Sequence, residues 1–297
     1  MNFLVIGHSV VDNIIEETGT STKPGGIFYS VISLLSQLEK EDRLFLCSSI
    51  DKSSAKLFED YYQLLDKRYI SEVETIPQVE LVIDGYGERK EKYSLISQNL
   101  SVPIESLNQF DGILINMISG YDISLDQLKQ IRKKFKGLIY FDVHTLSRGV
   151  DKNLSRKFRK INDFREWADC INILQANESE LLTLSAHDDE RLIGEELLSS
   201  QIEQIIITRA EKGATVFFRE AGVIKSIHKE ALKVNLINKV GCGDVFGAVY
   251  FYNYIKNKNV FLVLDQANLF AGISATYTDT NEFLNLKIDA NKYISKK

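Results

Sequence analysis

The chain has 297 residues, a formal net charge of −5 and 44% apolar residues, a composition typical of a globular protein with a substantial core. The acidic balance argues against nonspecific binding of nucleic acid. Cys47, Cys170 and Cys242 form no CxxC pair, which argues against a zinc site or a disulfide framework and fits a reducing compartment. The sequence offers no signal-like segment and no membrane-spanning run, so we predict a cytoplasmic protein.

The first predicted elements are a buried strand over residues 3–6 and a helix over residues 29–38. Asp12 follows the strand, and a loop above the strand end would present its carboxylate to a ligand. A turn or capping role is the alternative. Gly25 and Gly26 precede the helix, where paired glycines permit a close approach of the backbone to a ligand, although a simple loop explains them nearly as well.

A strand over residues 44–48 and a helix over residues 55–65 come next. Apolar and polar residues then alternate over residues 77–97, and the Asp-Gly-Tyr-Gly-Glu-Arg run at 84–89 interrupts them. This pattern predicts a β-hairpin.

From about residue 110 onward, strand and helix patterns alternate, which predicts one α/β domain with a mostly parallel sheet. Asp142 closes one of these strands. His144 follows, and we interpret it as a structural hydrogen-bonding residue, because a lone histidine is more often that than a catalyst. The elements predicted here are strands over 112–116, 138–143, 170–174 and 204–208 and a helix over 125–135.

Asn177 and Glu180 open the next helix and, three residues apart, share one of its faces. Asparagine at the N-cap with glutamate three positions later is the pattern of a capping pair. Further along, residues 231–237 form an apolar run that predicts another strand.

The run Gly241-Cys242-Gly243-Asp244 lies between this strand and a helical pattern that continues to about residue 255. Glycines at a helix start leave N–H groups directed at a ligand, and the helix dipole adds positive charge, so the site favours a phosphate or another developing anion. Asp244, beside such an anion hole, suits a base that deprotonates a hydroxyl during phosphoryl transfer. A tight turn with an aspartate cap is the alternative.

The same run, continued by Val245 and Phe246, resembles the C-terminal signature of the ribokinase-like (PfkB-type) carbohydrate kinases. The resemblance implies that Gly241, Cys242 and Gly243 form the anion hole and that Asp244 is the catalytic base. It also implies a three-layer α/β/α sandwich with a mostly parallel central sheet. A single domain over 1–297 would carry a small β-lid formed by residues 13–28 and 77–97, which closes over the sugar.

On the substrate side, Asp12 resembles the family aspartate that holds sugar hydroxyls. Gly25 and Gly26 resemble the glycine pair that precedes a sugar-binding asparagine, and Ser30 stands at that asparagine's position here. The resemblance places Asp142 at the active-site cleft.

On the nucleotide side, the resemblance implies that Asn177 and Glu180 organise magnesium around the phosphates, which one glutamate can do because magnesium keeps several waters. Thr208 and Gly213 are expected near the ATP phosphates, although Ala210 replaces a loop glycine of the family. Asn268 resembles the asparagine on the adenine side.

One departure concerns the residues before the glycines. The family has Asp-Thr-Thr there, as part of a monovalent-cation site, whereas this chain has Asn238-Lys239-Val240. We hypothesise that potassium activation is lost and that the Lys239 ammonium partly replaces the ion's charge.

These motifs predict a magnesium-dependent kinase that transfers the γ-phosphate of ATP to a hydroxyl of a sugar or a sugar-like molecule. A nucleoside or vitamin-precursor kinase of the same fold is the nearest alternative. A degenerate member that binds a sugar or a nucleotide as a sensor, without turnover, is the third possibility. The resemblance also implies a possible homodimer through the β-lid, and neither nucleic acid nor membrane is expected as a partner.

Overall fold

The computed structural model describes residues 1–16, 19–83, 89–96 and 98–296. In chain order the strands are β1 (Asn2–Ile6), β2 (Ser9–Glu16), β3 (Gly19–Gly26), β4 (Arg43–Ile50), β5 (Ile70–Glu72), β6 (Gln78–Ile83), β7 (Arg89–Leu95), β8 (Gly112–Asn116), β9 (Leu138–Asp142), β10 (Arg148–Val150), β11 (Arg156–Phe158), β12 (Ile173–Asn177), β13 (Gln204–Thr208), β14 (Ala214–Glu220) and β15 (Val223–Lys229). The α-helices are α1 (Phe28–Gln37), α2 (Ala55–Tyr62), α3 (Leu125–Lys134), α4 (Phe164–Ala168), α5 (Glu178–Leu181), α6 (Glu190–Leu197), α7 (Cys242–Asn257), α8 (Val260–Ser274) and α9 (Leu286–Ile294).

The central sheet has the strand order β15-β14-β13-β12-β9-β8-β1-β4-β5 within the described ranges. The strands from β5 to β13 pair in parallel, whereas β13, β14 and β15 pair antiparallel at one edge. Helical crossovers connect most of the parallel strands, as parallel pairing requires. The predicted mostly parallel sheet is confirmed.

Both faces of this sheet are covered, because β1 places alternate apolar side chains on opposite faces. Phe3 and Val5 belong to one core cluster, in which Phe3 contacts Phe251 of α7 with ring centroids 5.8 Å apart. Leu4 and Ile6 belong to the other cluster, which contains apolar residues of α3 and α6. The predicted three-layer α/β/α sandwich is therefore confirmed.

A separate four-stranded sheet has the order β3-β2-β6-β7. It occupies the two chain segments for which the lid is predicted, but it begins at Ser9 rather than at residue 13. Strands β6 and β7 pair antiparallel, which confirms the hairpin over 77–97. Residues 84–88 of its predicted turn, and residue 97, lie outside the described residues.

Three details of the sequence prediction are wrong. Asp12 lies within β2 rather than in a loop, because the chain re-enters a strand directly after Gly7 and His8. Residues 231–237 form no strand: β15 already completes the hairpin at this edge, and the Ile237 N–H donates to the Ala275 carbonyl instead. The strand predicted over 170–174 is β12 (Ile173–Asn177), because the Cys170 N–H bonds back to Trp167 at the end of α4.

Strands β10 and β11 form a two-stranded antiparallel ribbon beside these sheets. None of the described helices combines the length and the apolar character that crossing a bilayer requires.

Candidate active site

The candidate site begins at the carboxyl ends of the parallel strands, where neighbouring residues are brought into register. Asn116 of β8 pairs with Asp142 of β9, Asp142 pairs with Gln175 of β12, and Asn177 pairs with Thr208 of β13. Four neighbouring strands, β8, β9, β12 and β13, therefore deliver polar side chains to the same edge, which is where open α/β sheets bind ligands.

Helix α7 starts at this edge, immediately after Gly241. Gly241 has φ +80°, and a Cβ there would lie 2.4 Å from Cγ of Tyr29, so the turn into the helix requires glycine. The Cys242 N–H donates to the Lys239 carbonyl at 3.4 Å. The amide of Gly243 comes next in the first turn, where N–H groups have no preceding turn to bond and the helix dipole is positive.

Asp244, the predicted base, accepts a hydrogen bond from the side-chain amide of Asn116, a residue that the sequence analysis did not identify. Asn116 Nδ2 donates to Asp244 Oδ1 at 2.7 Å and lies 3.5 Å from the Ser30 hydroxyl. Asn116 is 1% exposed, and its Oδ1 has no hydrogen-bond partner among the described residues. Ser30 is equally buried and contacts Asn116 instead of lining the cavity in front of Asp244.

A polar cavity of about 230 Å³ lies in front of Asp244, and we call it the acceptor cavity. The predicted site residues in its wall are Asp12, Gly26, Asp142, Asn177, Glu180, Thr208, Gly241, Gly243 and Asp244. Gly25 lies behind this wall. A Cβ on Gly25 would be 2.2 Å from Asp12 Oδ2, so the missing side chain makes room for the Asp12 carboxylate.

A second, largely apolar cavity of about 540 Å³ adjoins the first, and we call it the donor cavity. Its wall includes the predicted residues Gly213, Asn268 and Cys242 together with apolar side chains such as Leu232 and Phe246. Burial raises the pKa of the Cys242 thiol. The residues shared by both cavities are Asn177, Thr208, Lys239 and Gly243.

Three carboxylates lie close together around the acceptor cavity. Asp142 is 6% exposed, and its burial, together with the charges of Glu180 and Asp244, raises its pKa well above the ordinary value. Gln175 Nε2 donates to Asp142 Oδ2 at 2.8 Å and to the Gly243 carbonyl at 3.1 Å. Gln175 thus joins the Asp142 carboxyl group to the start of α7.

The capping pair of Asn177 and Glu180 is confirmed, because each side chain accepts a hydrogen bond from the other residue's backbone N–H at 2.9 Å. Glu180 Oε1 also lies 3.6 Å from Arg148 Nη2. No group of three or more His, Cys, Asp or Glu side chains among the described residues is arranged to hold a metal directly. The repulsion between Asp142 and Glu180 nevertheless fits a cation held mainly through water.

The sequence analysis missed three residues of this region. Asn116 ends a strand whose bounds are predicted correctly, but its place beside Asp142 depends on the pairing of β8 with β9, which the strand pattern does not reveal. Gln175 was placed after its strand because the strand was predicted three residues too early. Arg156 lines the acceptor cavity from β11, a strand with no sequence signal. His144 lines the same cavity and its Nδ1 is 2.9 Å from the Thr145 hydroxyl.

Residues 143–286 match the model of the pfkB family of carbohydrate kinases. Over 124 residues the chain is 28% identical to the deoxyribokinase of Salmonella typhi, a match that covers 40% of this chain and 39% of that protein. The chain thus spans well under half of the length of this curated relative.

Solved structures match over nearly the full length. A ribokinase from Thermotoga maritima superimposes with a TM-score of 0.74 at 17% identity, covering 99% of both chains. A putative ribokinase II from E. coli, in complex with ATP and Mg²⁺, gives a TM-score of 0.76 at 17% identity and covers 100% of this chain and 99% of its own. The chain therefore has the ribokinase-like fold, and its residues 143–286 are similar to the pfkB family of carbohydrate kinases.

Proposed function

We propose that this protein is a kinase that transfers the γ-phosphate of ATP to a hydroxyl of a sugar or a sugar-like molecule. One observation carries the proposal: Asp244 lies at the start of α7 in the wall of the acceptor cavity, and Gly243 beside it belongs to both cavities. A hydroxyl group bound in the acceptor cavity and the phosphates of a nucleotide bound in the donor cavity would meet at this helix start.

The acceptor would be oriented by Asp12, whose carboxylate accepts hydrogen bonds from hydroxyl groups in the acceptor cavity. Asp244 then takes the proton of the reacting hydroxyl as its oxygen attacks the γ-phosphate. The hydrogen bond from Asn116 Nδ2 fixes one oxygen of Asp244, which orients the other for this proton transfer. Gly25 and Gly26 let the backbone and Asp12 approach the substrate closely.

The donor would be ATP, with its base against the apolar wall of the donor cavity beside Asn268 and its phosphates near Thr208 and Gly213. Charge develops on the transferred phosphoryl group, and the helix start at Gly241–Gly243 stabilises it. Lys239 lines both cavities and brings a positive charge to the same point.

Magnesium fits the carboxylates on this side of the site. Glu180 and Asp142 would hold it through water, since the mutual repulsion of these buried groups is relieved by a divalent cation. Bound there, it would neutralise charge on the phosphate oxygens. Asn177 contributes by fixing the Glu180 backbone through the capping pair.

The test is ADP formation from Mg-ATP with a panel of pentoses, hexoses, their phosphates and nucleosides. We expect one compound to stimulate turnover and Asp244→Asn to reduce kcat by about 10²- to 10⁴-fold, the usual contribution of a general base. Asp188→Asn is the matched control, because this carboxylate is exposed and pairs only at 3.7 Å with Lys160.

Nucleotide binding should survive in Asp244→Asn, which calorimetry with ATP would show. If no compound stimulates ADP formation while sugar or nucleotide still binds, the kinase proposal fails and a sensor takes its place. A nucleoside that outcompetes every sugar would point to the nucleoside-kinase alternative.

A further inference from the structure

The ribbon formed by β10 and β11 presents two arginines to the acceptor cavity. Arg148 pairs with Phe158 and Val150 pairs with Arg156 in the ribbon's register. Since side chains alternate between the two faces of a strand, Arg148 and Arg156 lie on the same face. Both line the acceptor cavity, and neither lines the donor cavity.

Arg156 is fixed on the lid side of this cavity. Its guanidinium carbon lies 4.1 Å from the centre of the Tyr93 ring, and Nη1 donates to the Thr145 hydroxyl at 3.2 Å. Tyr93 is a fully buried residue of β7, in the smaller sheet, and its backbone N–H donates to the Leu154 carbonyl at 3.0 Å. Stacking and hydrogen bonding therefore hold the guanidinium plane before any ligand arrives.

Arg148 is directed differently, since its Nη2 lies 3.6 Å from Glu180 Oε1 and its guanidinium stacks 4.8 Å above the Phe158 ring. Its charge is therefore placed toward the carboxylate that we assign to magnesium. Arg156 lies on the lid side and lines the acceptor cavity but not the donor cavity, so its guanidinium faces the acceptor rather than the phosphates of the donor.

We propose that the acceptor carries an anionic group, a carboxylate or a phosphate ester, and that Arg156 binds it. This inference rests on the proposed function. A guanidinium offers only donors, in a planar fork that matches two oxygens of a carboxylate or phosphate. Hydroxyl groups of a neutral sugar do not need such a fork, and Asp12 already supplies an acceptor for them in the same wall.

The test measures binding without ATP, by calorimetry, so that it does not depend on turnover. The ligand pairs are D-gluconate with D-glucose and D-ribose 5-phosphate with D-ribose, and inorganic phosphate is added as a simple anion. The variant is Arg156→Gln, and Lys157→Gln is its matched control, because the neighbouring Lys157 lies on the opposite face of the ribbon with a 74% exposed side chain.

We expect an acidic ligand to bind at least tenfold more tightly than its neutral counterpart, and Arg156→Gln to remove most of that difference, as loss of a charge-assisted bidentate contact does. Lys157→Gln should change neither affinity. The gluconate and ribose 5-phosphate arms show which anionic group is preferred. If Arg156→Gln fails to fold, Arg156→Lys keeps the charge but lacks the fork, and it should lose part of the preference.

Equal affinity for acidic and neutral sugars, unchanged by Arg156→Gln, would overturn the inference. So would an absence of binding by every acidic ligand. If a neutral sugar alone supports ADP formation, the kinase proposal stands while this inference fails. If an acidic sugar binds through Arg156 but supports no ADP formation, the inference stands and the kinase proposal fails.

Discussion

Asn116 donates a hydrogen bond of 2.7 Å to Asp244, across 128 positions of sequence. The contact joins the end of a central strand, β8, to the first turn of α7. An amide donor bonded to one carboxylate oxygen fixes the orientation of the other. The position of the proposed base therefore depends on Asn116 as well as on the glycine turn.

Replacing Asn116 with leucine should lower kcat about 10- to 100-fold while the KM for ATP changes little, because a misplaced base slows proton transfer without affecting nucleotide contacts. Steady-state kinetics with the stimulating acceptor measures both constants. Ser30→Ala is the matched control, since Ser30 meets the same amide only at 3.5 Å, and its kcat should stay within about threefold of the wild type. Equal losses in both variants would contradict this assignment.

The features of this site that the sequence predicts correctly are those that depend on a short stretch of neighbouring residues. The bounds of β8 and β13 match their predicted ranges, because their continuous apolar runs are bounded by polar residues. The start of α7 is also predicted from a local signal, because the glycines of Gly241–Asp244 directly precede a helical pattern.

What the sequence does not predict depends on pairing across the fold. Asn116 matters only because β8 adjoins β9 and α7 begins above it, and neither contact is visible in a strand pattern. Residues 231–237 have the composition of a strand, but the N–H groups of Ile237 and Asn238 donate to the Ala275 carbonyl at the end of α8 instead of to a neighbouring strand. The helix that contains Ser30 is predicted from the sequence. The rotation of this helix about its axis, which directs the Ser30 hydroxyl toward Asn116, is set by packing and is not predicted.

Asp142 should make stability depend on pH. Burial and the charges of Glu180 and Asp244 raise its pKa in the folded protein, so the folded state binds more protons than the unfolded state between the ordinary aspartate pKa and the raised one. Stability therefore falls as the pH rises through that window. Asp142→Asn, which mimics the neutral acid, should raise Tm at pH 7.5 by about 2 °C or more, the shift that ~1 kcal/mol gives in a domain of this size.

The same variant should have little effect near pH 4, where the carboxyl group is protonated in the folded state and about half protonated in the unfolded state. Thermal melts of the wild type and Asp142→Asn across pH 4–8 measure this. Adding magnesium with ATP should stabilise the wild type more than the variant, since a cation relieves the repulsion at Asp142. A constant difference in Tm across this pH range would show that the carboxyl charge is not responsible.

Ala210 has a φ of +48° in the loop where related kinases have glycine, according to the family resemblance. Left-handed backbone costs a non-glycine residue roughly 1–2 kcal/mol, and the greater freedom of glycine in the unfolded chain offsets part of that. Ala210→Gly should therefore raise the free energy of unfolding by about 0.5–1 kcal/mol in denaturant titrations. Ala221→Gly, at φ +49° in the turn between β14 and β15, should behave alike; a loss of stability in both would refute the argument.

Lys239 should make the reaction independent of potassium. It lines both cavities at the position where related kinases, by the same resemblance, form part of a monovalent-cation site. A tethered ammonium supplies positive charge near the helix start at every potassium concentration, so replacing sodium with potassium should change kcat less than about twofold.

Lys239→Met should lower kcat/KM for ATP about tenfold or more, which corresponds to ~1.4 kcal/mol of lost charge stabilisation. Lys52→Met is the matched control, because the Lys52 side chain is 89% exposed and lines neither cavity, and its effect should be small. A clear acceleration of the wild type by potassium would show that the ion's site persists despite the lysine.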